Sequence, residues 1–123
     1  METIQVLVGD VVTASNGFVQ DNTREVEFVG EELASRMEYD YDYRRGSITD
    51  LRGVTETLYK TEDGRYIVHV KDWSRWVNEP TRHSLLEVTE DDLGVNGRFE
   101  ALGREAGMGQ PLTLDEVLAP PPA

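Results

Sequence analysis

Alternation of apolar and polar residues, with a period of two, runs through most of the chain. In Arg24–Val29 (REVEFV), Val26 and Phe28 fall on one side and Glu25 and Glu27 on the other, which predicts a half-buried strand. Thr3–Val8 (TIQVLV) is rich in β-branched residues and predicts a strand that stops at Gly9-Asp10. Val11–Thr13 resumes the sheet before the turn residues Ser15-Asn16-Gly17. The arms TLYKT (57–61) and RYIVHVK (65–71) flank Glu62-Asp63-Gly64, and Asp-Gly between β-rich arms predicts a hairpin. On its second arm Tyr66, Val68 and Val70 share one face, and Ile67, His69 and Lys71 the other. Arg82–Thr89 predicts a further strand, ended by an acidic turn, Glu90-Asp91-Asp92.

Three segments depart from this period. Gly30 breaks the strand pattern, and Glu31–Met37 (EELASRM) predicts a two-turn helix, with helix formers throughout and acids in the first turn, where the dipole favours them. Arg98–Ala106 predicts a short helix weakened by Gly103, and the capping box Thr113…Glu116 predicts a terminal turn to Leu118. Ala119–Ala123 (APPPA) cannot continue a helix and reads as a disordered, proline-rich tail. The expected fold is therefore α+β: an antiparallel sheet of about five strands with two or three short helices, in one domain spanning 1–118.

A chain of 123 residues buries enough surface to fold without a staple. It has no cysteine, which excludes disulfides, thiolate zinc sites and cysteine nucleophiles. The first ten residues, METIQVLVGD, lack the basic region of a signal peptide, and no run approaches the length of a spanning helix, so the expected location is cytoplasmic. Twenty-four acids against twelve bases give a net charge of −12, spread over both halves. Such a surface repels nucleic acid and anionic membrane and attracts a basic protein surface. Charge of this size also serves solubility alone.

The run Glu38-Tyr39-Asp40-Tyr41-Asp42-Tyr43 is the most unusual stretch. Extended, it places Glu38, Asp40 and Asp42 on one face at a pitch of about 6.6–6.8 Å, the order of phosphate spacing along one nucleic-acid strand. The row is thus a candidate phosphate mimic, with the tyrosines packing on the other face. Glu90, Asp91 and Asp92 form a second acidic cluster. Neither run has the spacing of an EF-hand loop. Trp73 and Trp76 follow the hairpin with Arg75 between them, residue types that dominate binding interfaces. These eight residues are the candidate partner-binding set. His69 and His83 fall on consecutive strands and are expected as cross-strand neighbours. With Asp72 or Glu87 they are zinc ligands on paper, although no nucleophile elbow or phosphate loop accompanies them, and no metal or cofactor is expected.

LYKTEDGRYIVHVKDW (58–73), with the later LTLDEVL end, resembles small uncharacterised proteins of bacterial plasmids and prophages. The resemblance implies a mobile-element context, where small acidic proteins include anti-CRISPR and anti-restriction inhibitors. The leading expectation is a non-enzymatic acidic module that binds a basic surface on a nucleic-acid-handling host enzyme. A homo-oligomeric accessory module, as a homodimer, is the alternative, and a metal-dependent hydrolase built on His69 and His83 stands behind both.

Overall fold

The computed structural model describes residues 1–42, 47–108 and 118, with the side chains of 40–51 outside the description. Six strands and two short helices follow in order: β1 (Glu2–Thr13), β2 (Val19–Asp21), β3 (Arg24–Asp42), β4 (Ser47–Thr61), β5 (Tyr66–Ser74), β6 (Thr81–Val88), α1 (Glu90–Leu93) and α2 (Glu100–Glu105). All strands join one antiparallel sheet in the order β2-β1-β3-β4-β5-β6, and β1 also pairs with β6. The sheet therefore curls until its ends meet, which removes the exposed edges an open sheet would present there. This corrects the α+β expectation of about five strands: the fold is predominantly antiparallel sheet, with six strands and two minor helices.

The largest correction concerns Glu31–Met37, which is strand and not helix. β3 runs unbroken for 19 residues, and Gly30 lies in both of its ladders, opposite Glu2 of β1 and Thr61 of β4. Glu31↔Lys60 through Met37↔Thr55 continue the pairing, with a bulge between Glu32 and Ala34. Two helical turns are too short to stand alone, whereas β4 offers a full ladder plus side-chain partners. Ser35 Oγ lies 3.1 Å from Thr57 Oγ1, and Arg36 Nη1 donates to Glu56 Oε1 at 3.1 Å. Helix propensity, worth tenths of a kcal/mol per residue, loses to these tertiary contacts.

Elsewhere local pattern and structure agree. β4 and β5 form the expected hairpin, closed at Asp63-Gly64, with Leu58 opposite Val68 and Thr57 opposite His69. α2 lies within the expected Arg98–Ala106. The acidic turn after β6 is the first turn of α1, where Thr89 and Asp92 make a reciprocal capping box. The terminal turn and the tail lie outside the described residues, apart from exposed Leu118. Among the described residues no helix is long and apolar enough to cross a membrane.

Register divides the sheet into two faces. On one, Leu58, Val68 and Leu86 line up across β4, β5 and β6, and Leu93, Phe99 and Leu102 of the helical segment close over them. Leu58, Val68 and Leu102 are fully buried there. The other face, carrying Thr57, His69 and Leu85, turns toward β1: Nε2 of His69 reaches the carbonyl of Leu7 at 2.9 Å, and Phe28 meets Tyr59 edge-on at 5.4 Å.

Gly64 has φ +87° and open space around its Cα, so a side chain there meets strain but no clash. Gly64→Val should cost about 1–2 kcal/mol in urea unfolding, and Gly64→Asn clearly less, because asparagine tolerates the left-handed region. Equal losses would mean that the turn is not held at positive φ.

Candidate functional site

One end of the sheet gathers aromatic and apolar side chains without covering them. Ser35, Met37 and Tyr39 alternate along β3, and the register Tyr39↔Gly53↔Trp73 puts Tyr39 and Trp73 on the same face. Gly53 leaves a notch that the Trp73 ring fills; a Cβ there would lie 2.5 Å from the ring. Tyr39 and Trp73 meet edge-to-face with centroids 5.7 Å apart at 87°, and the Arg75 guanidinium lies 5.4 Å from the Trp73 ring. Trp73 is half-buried by this arrangement, whereas Met37, Tyr39, Trp76 and Val77 remain 50%, 44%, 50% and 54% exposed. The loop presenting Trp76 and Val77 is pinned on both sides. Asn78 N–H donates to the Thr13 carbonyl at 2.7 Å, and Glu79 pairs with Arg52 of β4.

The expected acidic row fares differently. Glu38 lies on the face opposite Tyr39, and its carboxylate is paired with Arg36, which also bonds Glu56. These two carboxylates hold the Arg36 guanidinium above its ordinary pKa, Glu38 contributing most. One charge of the row is thus neutralised within the protein. The side chains of Asp40 and Asp42 lie outside the described residues. The β3–β4 register shifts between Tyr39 and Tyr41, with the extra residues on β4, where Gly53 to Ile48 spans five positions against two on β3. In the second cluster, Asp92 Oδ2 accepts from Thr89 N–H at 2.9 Å and Thr89 Oγ1 at 3.1 Å, so Asp92 works as a cap, while Glu90 and Asp91 stay exposed.

His69 and His83 are diagonal neighbours: His69 faces Leu85, and His83 faces Lys71 across β5–β6 and Gly9 across the β1–β6 seam. Their nitrogens, Nε2 of His69 and Nδ1 of His83, lie 3.4 Å apart. Asp72, one of the expected companions, pairs with Arg82 on the opposite face. Burial, then the neighbouring His69 and Lys71, pushes the His83 pKa below its ordinary value, against smaller pulls from Asp21 and Asp10. A shallow groove of about 470 Å³ lies elsewhere, between Phe28, Val29 and the β4–β5 turn. Three of its polar side chains engage one another: Asp63 accepts from Thr61 Oγ1 and from Arg65.

Sequence reasoning singled out both tryptophans but missed Tyr39 as the neighbour of Trp73 and Arg36 as the counter-charge of Glu38. A strand running on into the tyrosine run was the available signal for the first, but the bulge between Glu32 and Ala34 reverses the faces, so alternation counted from Arg24 puts Tyr39 on the wrong side. Arg36 offered none, because its partners are set by register. Comparison with family models, curated proteins and solved structures returns no match.

The depressed His83 pKa has a definite consequence. The unfolded ring, near 6.5, binds a proton more readily than the folded one, so stability is full above that value and falls as pH drops through and below it. The lowered carboxyls of exposed Asp21 and Asp63 and of partly buried Glu79 act in a separate window, lost only as pH falls below about 4. In metal-free buffer the urea midpoint should decline from pH 7.5 to 5.5, and His83→Gln should flatten that slope. An unchanged slope in the variant would remove His83 from this role.

Proposed function

We propose that the chain is a non-enzymatic, acidic protein-binding module whose contact surface is the Met37–Tyr39–Trp76–Val77 end of the sheet. The observation that carries this reading is the exposure of large apolar and aromatic side chains on backbone held by strand pairing at Met37 and Tyr39 and by the Asn78–Thr13 and Arg52–Glu79 bonds beside Trp76 and Val77. Such residues, fixed before binding, lose little entropy on docking and supply most of the energy of an interface. The net charge of −12 gives the encounter its direction, toward a basic partner. A nucleic-acid-handling host enzyme presents such a surface, and inhibition of one is the role the plasmid and prophage resemblance suggests. The aromatic end replaces the acidic row as the centre of contact, because Glu38 already has its cation in Arg36.

Trp76→Ala changes an exposed side chain and should alter stability by no more than about 0.5 kcal/mol, whereas Tyr39→Ala also removes the edge-to-face contact with Trp73 and should cost about 0.5–1.5 kcal/mol without unfolding the protein. Both should release the protein that the immobilised wild type retains from lysate of the source organism. Glu38→Gln should leave retention nearly unchanged, whereas rising salt should weaken it, because exposed charges are screened over about 8–10 Å. Retention that survives the aromatic substitutions and disappears with Glu38→Gln would restore the phosphate-mimic reading. A dimer that dissociates on Trp76→Ala would assign the same surface to a second copy of the chain.

A further inference from the structure

The two histidines meet in a geometry that a hydrogen bond explains poorly. Their nitrogens are 3.4 Å apart, long for such a bond, and His69 Nε2 already has an acceptor in the Leu7 carbonyl at 2.9 Å. The ring centroids are 5.3 Å apart, with the planes inclined at 34°. Two imidazole nitrogens bound to one tetrahedral ion, each at about 2.0–2.1 Å, stand about 3.3–3.4 Å apart with ring centres about 5.2 Å apart. Nitrogens aimed straight at each other across the observed gap would set the centres about 5.7 Å apart, from the same ring dimensions. Both measured distances match the bent, ion-centred arrangement.

One oxygen donor touches the pair, and a carboxylate lies on the same face. The Leu7 carbonyl is in place, and Asp21 of β2 shares the His83 face through the registers Val11↔Asp21 and Gly9↔His83. Asp21 Oδ1 is held by Thr23 N–H and Thr23 Oγ1. Asp10 and Asp21 set negative charge around His83, and Lys71 offsets part of it. Among the described residues no group of three side-chain ligands assembles, so a carbonyl or water has to complete the shell. Two imidazoles with oxygen and no thiolate favour late first-row divalent ions over magnesium or calcium.

We infer that His69 and His83 form a two-histidine site for zinc, nickel or copper that ties β1 to β5 and β6 at the seam where the sheet closes. Binding requires the neutral His69 ring to carry its proton on Nδ1 in place of Nε2, which frees the Nε2 lone pair. His83 binds through Nδ1 with its proton on Nε2, so two neutral rings release no net proton. The Leu7 carbonyl, relieved of its donor, faces the ion or a water bound to it.

Untagged protein, stripped with EDTA and dialysed, should bind zinc sulfate in calorimetry at one ion per chain, with a rise in melting temperature. Cobalt(II) in its place should give the visible absorption of a four- or five-coordinate ion. His69→Ala and His83→Ala should each weaken binding about tenfold or more, while Glu90→Gln, at a distant exposed acid, should not. No saturable binding, or equal binding by the double histidine variant, would overturn the site. Should the variants fail to fold, ring-¹⁵N spectra of wild type decide the question, since the chain has only two histidines. Zinc should shift Nε2 of His69 and Nδ1 of His83, and unshifted nitrogens would overturn the inference.

Discussion

At Gly9 the backbone takes φ +121°, and a Cβ built there would lie 2.4 Å from the Asn22 carbonyl oxygen. Both facts restrict the position to glycine. They also mark where β1 changes partner: residues 2–8 pair with β3, and residues 9–11 with β6. The bend is a topological requirement. Five strands, β1, β3, β4, β5 and β6, form the ring, and every neighbouring pair in it is antiparallel. A ring with an odd number of straight strands cannot satisfy that condition, so one strand has to turn. The seam it makes is short, with three residue pairs, and the His69–Leu7 bond reinforces it from the inner face.

Closure of the ring decides what the two faces become. Curling brings the Thr57–His69–Leu85 face toward β1 and leaves the Leu58–Val68–Leu86 face outside, where α1 and α2 cover it. The helices are too short to be stable alone and exist as a lid on that outer face. β3 and β4 run past the covered region, and their far end carries Tyr39 against Trp73, with Met37 and Tyr39 about half exposed. The exposed aromatic end is thus a direct result of strands longer than the core they build.

What could be read from sequence was local. The β4–β5 hairpin was legible because Asp63-Gly64 and the alternation on both arms lie within fifteen residues, and α2 and the neighbouring histidines followed from equally short spacings. Glu31–Met37 misled because its composition favours helix, while the forces that make it strand come from Thr55–Lys60, more than fifteen positions away. The same non-locality hid the Arg36 bridge between Glu38 and Glu56 and the notch at Gly53 that seats Trp73. Gly9 read as a strand terminator because glycine usually is one; its role as a bend within a continuing strand depends on two partners that sequence does not name.

The ring and its seam are tested most directly by cross-strand NOEs in isotopically labelled protein. One set of contacts should join residues 2–8 to 24–30, and a second, in the same monomer, should join Gly9–Val11 to Thr81–His83. Residues 31–38 should show contacts to 54–60 and no helical i, i+3 pattern. Absence of the Gly9–His83 set, or a helical pattern across Glu31–Met37, would contradict the closed sheet and with it the placement of the aromatic end and the histidine pair.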